Sequence, residues 1–182
     1  MENIYLKFPT LEDKEKWFEY IEEFQKSKPL GYSENTTYEE WLEKIEKEHN
    51  GINLQPGRVP SSVYFLIDGN RIVANLSLRH NINTDFLSQY GGHIGYTVRP
   101  SERRKGYGTA LLNLALEKCA ELGLEDVMVT CKENNIGSAK VIENNCGVLK
   151  ETIFIPEENA TFKKYWINVK EALNKKENIR RK

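Results

Sequence analysis

The stretch His93-Ile94-Gly95-Tyr96-Thr97-Val98-Arg99-Pro100-Ser101-Glu102-Arg103-Arg104-Lys105-Gly106-Tyr107-Gly108-Thr109 changes character twice. Its first six residues read as a strand. Past Gly106, Leu111, Leu112, Ala115, Leu116, Cys119 and Leu122 share one side of a helix predicted over 106–122. Between strand and helix lies a basic, glycine-spaced turn. Glycines at 106 and 108 let the main chain come close to a ligand, and the first helical turn offers N–H donors without intrahelical partners and a partial positive charge. Arg103, Arg104 and Lys105 add counter-charge, so a phosphate suits the place. Short glycine motifs also occur in ordinary turns; it is the position between strand and helix that carries the reading.

Two familiar phosphate-binding patterns do not fit. A P-loop places Lys and then Ser or Thr after its second glycine, whereas Lys105 precedes Gly106 and no hydroxyl follows in register. A dinucleotide fingerprint needs a third glycine where Leu111 stands.

Working outward, Val127-Met128-Val129 forms the next strand, a helix follows from about Asn135 to Asn145, and strands run around Val148 to Ile155 and Phe162 to Val169. Upstream, the runs Val63 to Ile67 and Arg71 to Leu78 flank Asp68-Gly69-Asn70, a hairpin signal. Ile4 to Phe8 is a first strand ended by Pro9. Thr10 then caps a helix carrying Trp17, Phe18, Tyr20, Ile21 and Phe24, and Tyr38, Trp41, Leu42 and Ile45 mark a second helix. These aromatics read as core. The order β-α-α-β-β-β-α-β-α-β-β predicts an α/β chain, with a mixed sheet of about seven strands and helices on both faces. No repeat or linker divides it, so residues 1–182 are expected to form a single domain, with 171–182 a solvated, basic C-terminal tail.

With 39% hydrophobic and 29% charged residues the composition is that of a globular protein. No apolar run approaches the roughly 20 residues a membrane span needs, and Lys7, Glu12 and Asp13 break any signal-like start, so a cytoplasmic protein without a membrane partner is expected. Cys119, Cys131 and Cys146 suggest neither a disulfide framework nor a zinc site, and no metal is expected. A net charge of −1 predicts no nucleic-acid partner. Residues 1–50 carry 13 acidic against 7 basic side chains, an excess suited to attracting a cationic amine, although a solvated helix face accounts for most of it.

Arg103, Gly106 and Gly108 match the three fixed positions of the pyrophosphate loop Q/R-x-x-G-x-G/A, and the strand before it and the element order agree over nearly the full chain. In these features the chain resembles the GNAT family of N-acetyltransferases. The resemblance implies that acetyl-CoA is the cofactor. It implies that the main chain of Tyr96, Thr97 and Val98 pairs with the pantetheine arm, that the amides from Arg104 through Lys105, Gly106, Tyr107 and Gly108 to Thr109 hold the pyrophosphate, and that Arg103 closes the turn. Asn135 and Ser138 match a second family element beside the cofactor; N-cap chemistry is their ordinary alternative.

Acetyl transfer to an amine needs a polarised carbonyl, a deprotonated nucleophile and a proton for the departing thiolate. The Val98 N–H is the candidate for polarising the carbonyl. The family often places a general-acid Tyr seven positions after the Asn, and this chain has Ile142 there. Tyr165 is the replacement candidate, with Tyr107 behind it. His93 is the candidate base and His80 its reserve, because imidazole titrates near neutral pH. By strand alternation, however, His93 points away from the face of Tyr96 and Val98. The acceptor, a small-molecule or peptide amine, is expected among the first helices, the Lys28 to Tyr38 loop and the late strands. The expected function is acetyl transfer from acetyl-CoA to a primary amine by a monomer or homodimer. The alternative is a non-catalytic acyl-CoA-binding module.

Overall fold

The computed structural model describes residues 3–24, 29 and 35–180. β1 (Ile4–Lys7) leads through a single tight turn at Leu11–Asp13 into α1 (Lys14–Glu22). The start of that helix is held by side chains. The N–H and hydroxyl of Thr10 both donate to Asp13 Oδ2 at 2.9 Å, and Lys7 Nζ lies 2.7 Å from Asp13 Oδ1. α2 (Tyr38–His49) opens on a reciprocal cap, with the Glu40 N–H donating to Thr37 Oγ1 at 3.2 Å and the Thr37 N–H to the Glu40 carboxylate at 2.8 Å.

β2 (Ser61–Asp68) and β3 (Arg71–Arg79) form the expected hairpin, in which Gly69 takes φ +59°. With β1 and β4 (Ile94–Val98) they make an antiparallel sheet in the order β1-β2-β3-β4. α3 (Tyr107–Glu121) then returns the chain to β5 (Asp126–Lys132), and α4 (Ile136–Asn144) precedes β6 (Val148–Ile155) and β7 (Ala160–Asn168). These last strands form a second antiparallel sheet, β5-β7-β6.

All seven strands are present, but they lie in two antiparallel sheets instead of one mixed sheet. The reason lies where β4 meets β5. The His93 N–H donates to Met128 O at 2.8 Å, while the Met128 N–H donates at 2.9 Å to the imidazole Nδ1 of His93 and not to a carbonyl. A side chain has taken a ladder position, and no strand pairing continues past it. The contact also requires glycine at 92: its φ is +64°, and a Cβ there would lie 2.6 Å from Met128 O.

Alternation on β2 and β3 feeds two cores. Val63, Phe65 and Ile67 meet the aromatics of α1 and α2, where Trp17 stacks on Trp41 and on Phe65 with ring centroids 5.1 Å apart. Ala74, Leu76 and Leu78 pack with Leu111, Leu112, Leu116 and Cys119 of α3, and this second core continues into Val127, Val129 and Ile167. The C-terminal residues differ from the expected tail. α5 (Val169–Arg180) is a helix whose Val169 and Ala172 are buried in the α3 core. The apolar positions 169, 172 and 173 have helical spacing, which the surrounding charges obscured.

Burial alone would raise the Asp13 carboxyl's pKa, but the hydrogen bonds from Lys7 and Thr10 outweigh it and hold it below the usual carboxylate range. A carboxylate lowered on folding contributes stability above its unfolded pKa of about 3.9 and loses it as pH falls through the folded value. Asp13→Ala is therefore expected to cost about 1–2 kcal/mol at pH 7. In urea unfolding, the gap from the parent should shrink below about pH 4; an equal gap at pH 7 and pH 3 refutes the assignment.

Candidate active site

The divergence of β4 and β5 leaves one edge of β4 without a strand partner. The Arg99 N–H donates to Val73 O at 2.9 Å and the Arg79 N–H to His93 O at 2.8 Å, and Thr97 and Gly95 lie opposite Asn75 and Ser77. The main-chain groups of 95, 97 and 99 therefore point toward β3. Those of Tyr96 and Val98 point the other way, where β5 has separated. They border a cleft of about 1170 Å³ lined by Tyr96, Thr97, Val98, Arg103, Arg104, Gly106, Gly108 and Thr109 on one side and by Asn135, Ser138, Lys140 and Val141 on the other.

The loop at the mouth of this cleft is built for an anion. Arg104 at φ +60° and Gly106 at φ +89° turn the chain sharply into α3. The first intrahelical bond runs from the Ala110 N–H to Gly106 O at 3.1 Å, so the N–H groups of Tyr107, Gly108 and Thr109 have no acceptor within the helix. No side chain caps this helix and no acid stands in its first turn. The Arg103 Nε donates to Val98 O at 3.3 Å, drawing the loop back on the strand. The cleft thus offers a strand edge, a helix N-terminus and two cationic side chains in series. An elongated acyl carrier with a pyrophosphate fits that order.

The basic segment read from the sequence is divided by the fold. Arg99 is buried and ion-paired with Glu23, whose carboxylate also accepts the Ser101 N–H at 3.2 Å. Glu102 takes Lys105 at 3.0 Å and Arg71 at 3.3 Å. Lys105 is thereby turned from the cleft. Tyr107 also points elsewhere, its hydroxyl donating to the carboxylate of Asp68. Arg103 and Arg104 remain as the loop's cleft-lining cations.

Asn135 caps α4, its Oδ1 accepting the Ser138 N–H at 3.1 Å, and it lines the cleft as well. Ile142, at the family's tyrosine position, is fully buried in the core. Tyr165 is also buried; its hydroxyl donates to Glu143 Oε1 at 2.9 Å and does not reach the cleft. Among the described residues, the tyrosine that lines it is Tyr96. Its hydroxyl lies 2.8 Å from Ser138 Oγ, and burial pushes its pKa up to about 12. The family resemblance implies a role only for the main chain of that residue.

His93 is 4% exposed, and its Nδ1 is taken up by the Met128 N–H. Burial, with the Arg79 charge second, lowers its pKa to about 4. An imidazole so held is neutral at pH 7 and a poor proton acceptor, which does not suit a base. His80, the reserve, lies against Ser62, which sits between it (2.8 Å) and His49 (2.7 Å), outside the cleft.

The second cavity lies on the α2 side of the first sheet. It measures about 510 Å³ and includes Asn75 and Ser77 of β3, the cross-strand partners of Thr97 and Gly95. It therefore approaches β4 from the side opposite α3. The loop expected at Lys28 to Tyr38 lies largely outside the described residues.

His93→Ala leaves the Met128 N–H without its acceptor, at an expected cost of about 1–3 kcal/mol, whereas His93→Asn offers Oδ1 in place of Nδ1. The first variant should lose stability and acetyl-CoA affinity together, and the second should recover both. An inactive but fully stable His93→Asn protein would restore the base assignment. Because the folded pKa is about 4 against an ordinary 6.5, His93 also makes the parent lose stability as pH falls from 6.5 toward 4.

Comparison with known proteins agrees with this geometry. The family model for the Acetyltransferase (GNAT) family matches residues 10–148. No curated protein sequence matches the chain. Among solved structures, spermidine N-acetyltransferase from Vibrio cholerae, in complex with CoA and spermine, superposes with a TM-score of 0.66 at 16% identity, covering 95% of this chain and 99% of that one. Ribosomal-protein-S5-alanine acetyltransferase from Vibrio fischeri gives a TM-score of 0.65 at 16% identity, over 92% and 94% of the two chains. A GNAT-family acetyltransferase from Streptococcus pneumoniae gives 0.65 at 10% identity, over 91% and 99%. These likenesses show a shared fold, and with the family match over residues 10–148 they show that the chain belongs to the GNAT acetyltransferase family.

Proposed function

We propose that the protein transfers an acetyl group from acetyl-CoA to a primary amine, with the cofactor in the cleft between β4 and β5. The observation that carries this reading is the edge of β4, where the main-chain groups of Tyr96 and Val98 face the cleft one turn from an uncapped helix N-terminus. When bound there, acetyl-CoA supplies an activated acyl group. Tyr96 and Val98 would pair with its arm and offer N–H donors to the thioester carbonyl; the amides from Arg104 to Thr109, with the Arg103 and Arg104 side chains, would hold the pyrophosphate. The acceptor nitrogen attacks from the opposite face of β4. An N–C bond forms and the C–S bond breaks.

With acetyl-CoA bound, Tyr96 would supply the proton that the leaving sulfur needs. That hydroxyl is protonated at neutral pH and is oriented at 2.8 Å by Ser138, itself a residue of the cleft lining, whereas Tyr165 and Ile142 are buried away from it. The acceptor's surplus proton passes to water, and the Tyr96 phenolate regains a proton from solvent. We place the enzyme in the cytoplasm, in keeping with three free cysteines, two of them buried, and with the lack of a helix long and apolar enough to cross a membrane among the described residues. The fold relatives named for spermidine and for a ribosomal protein's alanine take a small amine and a protein amine respectively, and both classes remain within this reading.

Gly106→Asp is expected to abolish CoA binding in calorimetry while the protein stays folded, since it adds a side chain at φ +89° and a negative charge beside the pyrophosphate. Retained affinity in a folded variant overturns the placement of the cofactor. Tyr96→Phe keeps the ring and is expected to lower kcat by about 10²-fold or more, with acetyl-CoA affinity changed less than about tenfold. Unchanged kcat removes Tyr96 as the acid. Tight CoA binding without thiol release on any amine makes the protein an acyl-CoA-binding module instead.

A further inference from the structure

We infer that the cavity on the α2 side of the first sheet grips its acceptor by an oxyanion, so that the substrate is a primary amine that also bears a carboxylate or phosphate group. This rests on the acetyltransferase reading and narrows its substrate class. Among the described residues, Lys44, Arg58 and Arg79 line that cavity against a single acid, Glu48. Among the described residues, no carboxylate lies within 4.0 Å of either guanidinium. Arg79 is half-buried, and its Nη1 donates to Gly91 O at 3.2 Å and Gly92 O at 3.0 Å. Those carbonyls fix the guanidinium but bring no negative charge, and Nε and Nη2 keep donors to spare. The loop residue Arg58 stands close enough that its charge, after burial, lowers the Arg79 pKa. Two cations held together at a cavity wall without a counter-ion are unfavourable, and a bound oxyanion relieves both the repulsion and the unmet donors.

The placement is productive. Asn75, Ser77 and Arg79 alternate along β3 and share its α2-side face, and Ser77 lies directly across from Gly95 of β4. Arg79 is one step of the pleat further on, about 7 Å away at roughly 3.4 Å per residue. An anion on the arginines thus leaves an amine a few bonds away beside the strand that holds the thioester. The same charges oppose a polycation, although the fold relative from Vibrio cholerae is named for spermidine. The acidic surplus of residues 1–50 does not reverse this, since among its described residues Glu48 is the acid that lines the cavity.

Two pairs of amines that differ by a carboxylate test the inference, serine with ethanolamine and lysine with cadaverine. O-phosphoethanolamine adds a phosphate arm and spermidine a polycation. Each is titrated by calorimetry into the full-length protein saturated with CoA, and assayed for thiol release with acetyl-CoA. The anionic member of at least one set is expected to bind at least tenfold more tightly than its neutral or cationic partner. Arg58→Ala, an exposed loop change, should weaken that ligand about tenfold and leave CoA affinity unchanged; Arg79→Lys, which keeps charge but loses the fork, should act in the same direction. A carboxylate or a phosphate preference decides which oxyanion the site takes. Preference for spermidine or cadaverine, equal binding of all partners, or affinity indifferent to Arg58→Ala overturns the inference while leaving acetyl transfer standing. Arg58-dependent binding without thiol release from any amine leaves the oxyanion site standing and overturns acetyl transfer.

Discussion

The Met128 N–H ends on the imidazole of His93, and most of what makes this fold useful follows from that one hydrogen bond. A continuous β4–β5 ladder would satisfy the edge of β4 internally and close the sheet. Because a side chain occupies the first rung, the strands part and the main-chain groups of Tyr96 and Val98 are left facing a cleft. The acceptor must be a neutral nitrogen. The same burial that lowers the imidazole's pKa to about 4 therefore keeps it fit for this post at neutral pH. Gly92 completes the arrangement, since any side chain there meets the Met128 carbonyl.

The two faces of the first sheet have separate tasks. On the α3 side, aliphatic packing fixes the helix whose N-terminus closes the cleft. On the other side, an aromatic stack of Trp17, Trp41 and Phe65 holds α1 and α2 against β2. The Tyr20 hydroxyl ties that layer to the site strands, donating to Asn75 Oδ1 at 2.9 Å and to Thr97 O at 3.0 Å. Arg99 and Glu23 add an ion pair between the end of α1 and the loop. The cofactor side and the acceptor side are therefore braced against one another through β3 and β4, which is the rigidity that positioning two reactants requires.

Charge is used with economy around the loop. Of the four cations in Arg99 to Lys105, two are consumed by Glu23 and Glu102 in holding the turn, and two are presented to the cleft. A count of basic residues in the sequence overstates the field a ligand meets, because ion pairing between distant segments is invisible to it. The opposite holds for Arg58 and Arg79. They are 21 positions apart and unremarkable in the sequence, yet they face one cavity, and among the described residues neither is ion-paired with a carboxylate.

By itself the sequence determined the element order up to the last strand, the hairpin at Asp68-Gly69 and the loop at Arg103, Gly106 and Gly108, because these depend on local periodicity and on glycine's backbone freedom. The cofactor class it gave only through the family resemblance that the glycine-spaced turn between strand and helix carries. Only the tertiary structure decided the division into two sheets, the post of His93, the burial of Tyr165 against Glu143 and the pairing of the Tyr96 hydroxyl with Ser138. Each of those rests on a contact between residues at least 22 positions apart, such as the 35 between His93 and Met128. Proton donors and acceptors are chosen by such contacts, and a residue's type says only that it is able to titrate, not what it will face.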